Sequence, residues 1–370
     1  MQKKIRVVVG MSGGVDSSVT AALLQEQGFD VVGIFMKNWD DEVVRMPIID
    51  GCSSAEDQED ARTVAKQIGI PFHVMHFERE YWDHVFQDFI KGYKEGRTPN
   101  PDVLCNKFIK FGYFLEKAKK EFGADFIATG HYVRLRREIP NSKFQIPSVE
   151  LLQAVDKNKD QSYFLWTLAQ EQLRYAMFPL GYLTKPQVRD LAKKFSLTTA
   201  LKKDSQGICF VGEVELRKFL EQWIKPHKGD ILTLENKKIG EHDGAEYFTI
   251  GQRHGLNVGG GIPYYVVKKD ISKNIVYVVA GSSHEALFSS EVIIENPHWI
   301  GDAPKEGDSV LARIRYRQPL QKATIHSTSH KLPATSKRLV FDEPQRAITP
   351  GQSAVIYDGD VMIGGGVIKS

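Results

Sequence analysis

The sequence predicts an α/β protein: a doubly wound parallel sheet over residues 1–210, a small mixed region over 211–281, and a β-barrel over 282–370. Three observations lead there. Apolar β-branched runs alternate with amphipathic helical patterns through the first half of the chain. A glycine-rich turn joins the first of these runs to a helix. Beyond about residue 210 the pattern changes to short alternating strands broken by glycine.

The individual elements follow the same logic. Ile5-Arg6-Val7-Val8-Val9 reads as a buried parallel strand, with a helix over 17–27 behind it. Strands are expected at 31–36, 71–77 and 124–129, and helices at 55–68, 81–93, 106–122 and 184–195. Thr184 suits an N-cap. A helix at 213–223 then leads into short strands at 230–234, 247–250, 264–268 and 275–279. In such a sheet, ligands bind at the carboxyl ends of the strands, where Gly10, Met36 and Gly130 fall.

Composition narrows the function. At 370 residues, 42% hydrophobic and 26% charged, the chain is ordinary for a globular protein of two or three domains. A net charge of +3 supplies no global basic field, so any nucleic-acid contact rests on local patterning. No apolar stretch is long enough to span a bilayer, and Met1-Gln2-Lys3-Lys4 does not open a signal peptide. Three cysteines form no disulfide framework, so a cytoplasmic location and no membrane partner are expected.

The most informative segment is Gly10-Met11-Ser12-Gly13-Gly14-Val15-Asp16-Ser17-Ser18. A strand feeding a glycine turn and a helix N-terminus makes an anion site from unpaired N–H groups and the positive end of the helix dipole. The loop has no P-loop lysine and no GxGxxG pattern, so kinase, GTPase and dinucleotide readings are disfavoured. Two cysteines stand in chemically distinct settings. Asn100-Pro101-Asp102 reads as a helix start, with Asn100 as N-cap and Pro101 at N1, placing Asp102 and Cys105 on one face. The helix N-terminus lowers the Cys105 thiol pKa and the Asp102 carboxylate raises it, and the sequence leaves the balance open. Cys209 lies in the polar, lysine-flanked run 202–212, a setting that favours thiolate; Cys52 has no comparable context.

These stretches together resemble the tRNA-specific 2-thiouridylase family of the N-type ATP pyrophosphatase superfamily. The resemblance is carried by SGGVDSS at 12–18, NPDVLCN at 100–106, ATGHY at 128–132, KDQSYFL at 159–165, SQGICF at 205–210, YFTIGQRHGL at 247–256, RYRQ at 315–318 and TPGQSAV at 349–355. It implies a Rossmann-like catalytic domain that adenylates the C2 oxygen of the wobble uridine with ATP and Mg²⁺. Gly10, Met11, Ser12, Gly13, Gly14, Val15, Asp16 and Ser17, with Met36 and Gly130, would hold the nucleotide. Asp102 would be the general acid/base, Cys209 would carry a persulfide from a sulfur-donor protein, and Cys105 would resolve it. A variant route has Cys105 releasing hydrogensulfide as the attacking species. The tRNA would meet Asn100, Pro101, Asp102, His131, Lys159, Asp160, Gln161, Arg315, Tyr316 and Gln352.

Two further readings accompany the resemblance. The chain has no Cys-x-x-Cys, so an iron–sulfur cluster on Cys105, Cys209 and Asp102 or Cys52 is the lesser alternative. In Val310-Leu311-Ala312-Arg313-Ile314-Arg315-Tyr316-Arg317 the arginines recur every second residue, which predicts one strand face of three guanidinium groups suited to phosphates. The rival functions are an amidating ligase sharing the same loop and an ATP-gated RNA-binding protein without chemistry.

Overall fold

The computed structural model describes residues 4–40, 54–137, 148–204, 216–259, 261–328 and 336–369. Its first half contains β1 (Arg6–Gly10), β2 (Asp30–Lys37), β3 (Phe72–His76), β4 (Phe126–Ala128), β5 (Val133–Arg137), β6 (Val149–Gln153) and β7 (Ala176–Met177). Five of these form a sheet in the order β3-β2-β1-β4-β7, and every pairing is parallel.

The sheet is covered on both faces, which is why its central strands are apolar without alternation. Val7, Val8 and Val9 are all fully buried. Val8, Val32 and Ile34 face a core shared with the helical runs at 78–94 and 101–122. Val7, Val9, Val31 and Phe35 face a second core. That core includes α1 (Val15–Glu26), α2 (Ser54–Ile68) and the helix Lys185–Lys194. The doubly wound α/β arrangement is therefore present, with helices on both sides. At the start of the last helix, the Gln187 side-chain oxygen accepts the Thr184 backbone N–H at 2.8 Å.

The middle region is a four-stranded sheet of β8 (Gly229–Thr233), β9 (Lys238–His242), β10 (Tyr264–Asp270) and β11 (Ile275–Ala280), ordered β10-β11-β8-β9. The last region holds β12 (Phe288–Trp299), β13 (Ser309–Arg313), β14 (Gln321–Ser327), β15 (Lys337–Arg346), β16 (Ser353–Asp358) and β17 (Val361–Ile368). They run in the order β12-β15-β14-β13-β16-β17, and β12 pairs with β17 to close the barrel. The hairpin β5–β6 reaches across from the first region, with β6 adding antiparallel to β17.

Three expectations need correction. Residues 247–250 are not a strand: a 3₁₀ turn, Ala245–Tyr247, precedes a turn in which the Thr249 N–H donates to the Gln252 side chain at 2.9 Å. The helix expected over 213–223 ends at Glu221, and its first three positions, 213–215, lie outside the described residues. The strand expected over 310–317 stops at Arg313, because the Ile314 N–H turns to the Gln318 side chain at 2.9 Å and Arg317 takes φ +63°.

Candidate functional site

The glycine loop sits where the strand ends meet. Gly10 closes β1, and a Cβ placed on it would stand 3.0 Å from Met36 Cε near the end of β2. Gly13 has φ +74°, and a Cβ there would lie 2.2 Å from the Asp57 carbonyl oxygen, so both conformation and space require glycine. Gly130, just past β4, backs directly onto α1: its Cβ would fall 2.9 Å from the Ser17 nitrogen. Inside the loop the Ser12 N–H donates to Ser17 Oγ at 3.0 Å, and Ser17 Oγ donates to the Gly14 carbonyl at 3.1 Å. Gly14, the N-cap of α1, provides no side-chain cap, so the first-turn N–H groups keep their capacity for an external acceptor. Met11 and Val15 are buried in the core, so they can offer a ligand only their backbone.

Asp16, in the first turn of α1, is the centre of a charge cluster. It accepts Tyr132 Oη at 2.7 Å and the Lys185 ammonium at 2.8 Å on both carboxylate oxygens. Lys185 Nζ also stands 2.7 Å from Asp204 Oδ1, and Asp204 is shared with Arg189 at 2.9 Å and with Lys159. Burial pushes the Asp204 carboxyl up, but hydrogen bonds from Lys159 and Lys185 outweigh it and hold the group at about 2. Burial, then the Asp16 charge, drive the Tyr132 phenol far above its usual range, so it stays a proton donor to Asp16. Lys202 ties the same region to α2 through Asp57 and Asp60. Sequence reasoning marked Asp16 and Lys159 but missed Lys185, Arg189 and Asp204. No motif flags them, since their proximity arises only from the fold.

The segment Asn100-Pro101-Asp102 starts a helix as expected. Asn100 Oδ1 accepts the Asp102 N–H at 3.2 Å, and Pro101 occupies the first turn. The helix continues through a π-helical stretch, Cys105–Tyr113, into Phe114–Phe122. Cys105 is fully buried in the core shared with Met36, Val103 and Ile109. Phe114, farther along the same run, would lie 3.6 Å from a Cβ on Gly10, so the run packs beside the glycine loop. Cys52 and Cys209 lie outside the described residues. Among the described residues no group of three His, Cys, Asp or Glu side chains is placed to hold a metal.

Residues expected at an RNA surface divide into two groups. Gln352 Nε2 donates to the Thr98 carbonyl at 2.8 Å, and the Thr98 N–H donates to the Pro350 carbonyl at 2.8 Å. Thr98 Oγ1 also meets Thr249 Oγ1 at 3.1 Å, so all three regions converge just before Asn100. Tyr316 packs on Phe164 with ring centroids 4.6 Å apart, joining the 159–164 turn to 315–316. Gln161 accepts the Tyr132 N–H at 3.0 Å.

The second group is internal. His131 is buried, hydrogen-bonded to Thr129 Oγ1 at 2.7 Å, and held neutral by burial and by Lys110. Asp160 is buried as well, with its carboxylate paired to Arg313. The expectation of a free Asp160 contact is therefore corrected, because the side chain has no exposed face. The arginine stripe is corrected too. Arg313 points inward and Arg315 donates to the Arg346 and Ala347 carbonyls, which leaves Arg317, over the Tyr316 ring, as the exposed member.

Comparisons with known proteins place these features in a family. Family models described as a tRNA methyl transferase HUP domain, a tRNA methyl transferase PRC-barrel domain and an aminomethyltransferase β-barrel domain match residues 5–213, 217–280 and 289–368. The chain is 51% identical over 371 residues to a Streptococcus uberis protein named tRNA-specific 2-thiouridylase MnmA, covering 99% of this chain and 95% of that protein. A Streptococcus mutans protein of the same name is 49% identical over 99% of this chain and 96% of its own length. Among solved structures, a 4-thiouridine synthetase–RNA complex with bound ATP is 15% identical, covering 59% of this chain and 50% of that one, at a TM-score of 0.35. That likeness is too slight to carry an argument. Among the described residues no helix is long and apolar enough to cross a membrane.

Proposed function

The chain belongs to the tRNA-specific 2-thiouridylase family, and from that premise we propose that it is a tRNA sulfurtransferase that 2-thiolates the wobble uridine at the expense of ATP. The observation that carries this reading is the convergence of the glycine loop, Met36 and Gly130 at one sheet edge, beside the helical run that bears Asp102 and Cys105. The donor set suits a polyphosphate: uncapped N–H groups of α1, the Ser12 and Ser17 hydroxyls, and a neighbouring ammonium. Mg²⁺ would neutralise phosphate charge there, with Asp16 as the nearby carboxylate.

The chemistry divides into two halves. The uracil C2 oxygen is a poor leaving group, and attack of that oxygen on the α-phosphate releases pyrophosphate and converts it into a leaving AMP. The terminal sulfur of a Cys209 persulfide, loaded by a sulfur-donor protein, then attacks C2 and AMP departs. Cys105 thiolate attacks Cys209 Sγ, the S–S bond breaks towards the base, and the 2-thiocarbonyl is freed. A Cys105–Cys209 disulfide remains for an external thiol to reduce. Asp102, held by the Asn100 cap at the helix start, handles the proton at the base. Asn100, Pro101 and Gln352 border the target nucleotide, and Lys159, Gln161, Tyr316 and the exposed Arg317 face the tRNA body.

The test is direct. The protein is incubated with MgATP, a persulfide donor and unmodified tRNA, and the RNA is digested to nucleosides for mass analysis. A sulfur-for-oxygen mass increase in uridine, accompanied by AMP, is expected. AMP release without sulfur incorporation would point to an amidating ligase instead.

A further inference from the structure

We propose that Lys185 and Asp204 set the charge that the glycine loop presents to the nucleotide: Lys185 supplies the ammonium that the loop itself lacks, and Asp204 withholds part of it. The proposal rests on the reading of residues 10–17 as an ATP-binding loop.

Residues 10–17 contain no lysine or arginine. Lys185 fills that gap from the first turn of the helix Lys185–Lys194. Its backbone N–H is fixed by Asp156 Oδ2 at 2.9 Å, which aims the side chain at the loop. Its ammonium stands 2.8 Å from both Asp16 oxygens and 2.7 Å from Asp204, with the side chain only 12% exposed. An ammonium held this dry, between two carboxylates and against the Tyr132 ring, is strongly committed electrostatically. The cluster contains three cations, Lys159, Lys185 and Arg189, and three anions, Asp16, Asp204 and Asp156, whose carboxylate holds the Lys185 backbone. Its net formal charge is therefore zero, directly beside a loop shaped for an anion. Removing the Lys185 charge takes the cluster to −1, and removing the Asp204 charge takes it to +1.

The two substitutions therefore have opposite signs for a phosphate ligand. A purely structural network predicts the same sign for both, because each breaks ion pairs of one connected network. That difference separates Lys185 as a positioning residue from Lys185 as a fold-stabilising one. It also gives Asp204 a role that its ion pairs alone do not: a carboxylate that competes with the triphosphate for one ammonium.

The experiment measures binding of α,β-methylene-ATP with Mg²⁺ to the full chain by titration calorimetry, alongside thermal unfolding of each variant. Lys185→Met should weaken binding about tenfold, Lys185→Arg should recover most of the loss, and Asp204→Asn should tighten binding several-fold. Asp204→Ser serves as the second charge-removing variant if Asp204→Asn does not fold. Weaker or unchanged binding in the folded Asp204 variants overturns the proposal, as does unchanged binding in Lys185→Met. Failure of the wild-type chain to bind the analogue overturns the ATP-loop reading itself, a result distinct from either.

Discussion

Asp160 and Arg313, 153 positions apart in sequence, form an ion pair with side chains 0% and 3% exposed where the parallel-sheet region meets the barrel. Ser162 Oγ and Tyr357 Oη complete the cluster: Ser162 donates to Asp160 at 2.9 Å, and Arg313 donates to Tyr357 at 3.0 Å. The Asp160 carboxylate also accepts the Ala154 N–H at 2.9 Å. Two desolvated charges with their remaining hydrogen-bonding capacity filled form a specific, all-or-none contact between regions.

Breaking that pair from one side leaves an uncompensated buried charge. Arg313→Ala should therefore destabilise the chain by about 3–5 kcal/mol, whereas a well-packed Asp160→Asn/Arg313→Met double variant should lose less. Urea denaturation of the three proteins checks this. Equal losses in the single and double variants would show that the charge pairing is not what matters.

The exposed Arg317 has a different expectation. Arg317→Ala should leave unfolding unchanged but lower the slope of log affinity for tRNA against log salt by about one. Filter binding across a salt series measures the slope. An unaltered slope would return Arg317 to an ordinary solvated side chain.

The alternation of apolar runs and helices was sufficient to read four strands of the five-stranded sheet, because a strand buried on both faces must be apolar throughout; β7, only two residues long, was not read. The glycine loop was legible for a related reason: Gly13 and Gly130 stand where no side chain fits. The hairpin β5–β6 was not legible. Its residues pair across to β17, and such long-range pairing leaves little local pattern. The arginine stripe misled because period-two spacing was read as a continuous strand, while a turn at Gln318 and a buried aspartate far away in sequence decided the geometry. Lys185 and Asp204 were invisible for the same reason, since each acquires meaning only from the other and from Asp16.

Lys269, in the middle sheet, gives a pH dependence. Burial lowers its pKa from 10.5 to about 8, only partly offset by Glu246, while its ammonium donates to the Phe248 carbonyl. Between about 8 and 10.5 the unfolded chain binds more protons at this group than the folded one does. Its contribution to stability therefore rises with pH across that window. The difference in unfolding free energy between wild type and Lys269→Met isolates it from other titrating groups. Parallel stability curves across the window would remove the assignment.

Asp16 joins the loop to the charge cluster, so its loss should be felt in the first chemical half. Asp16→Ala should reduce AMP release by at least about a hundredfold while leaving a folded chain, since it removes the carboxylate that holds the Lys185 ammonium and beside which Mg²⁺ would sit, and losing the positive groups placed at developing phosphate charge typically costs that much. Nucleotide chromatography after incubation with MgATP and tRNA gives the readout. ADP as the main wild-type product would contradict cleavage between the α and β phosphates.

The cysteine pair makes the most exacting demand. Cys105 is fully buried at the start of a π-helical stretch, packed in the core near Met36. A thiol so placed can take part in sulfur transfer only if a second sulfur is delivered to it, and the polar, lysine-flanked setting of Cys209 suits a persulfide carrier. Peptide mapping under non-reducing conditions after a single turnover should therefore find a Cys105–Cys209 disulfide. Cys105→Ser and Cys209→Ser should each abolish thiolation while pyrophosphate release persists, because adenylation precedes sulfur transfer. Cys52→Ser should retain most activity. Normal turnover by Cys105→Ser would remove its resolving role, and persistent thiolation by Cys209→Ser would place the sulfur carrier elsewhere in the chain.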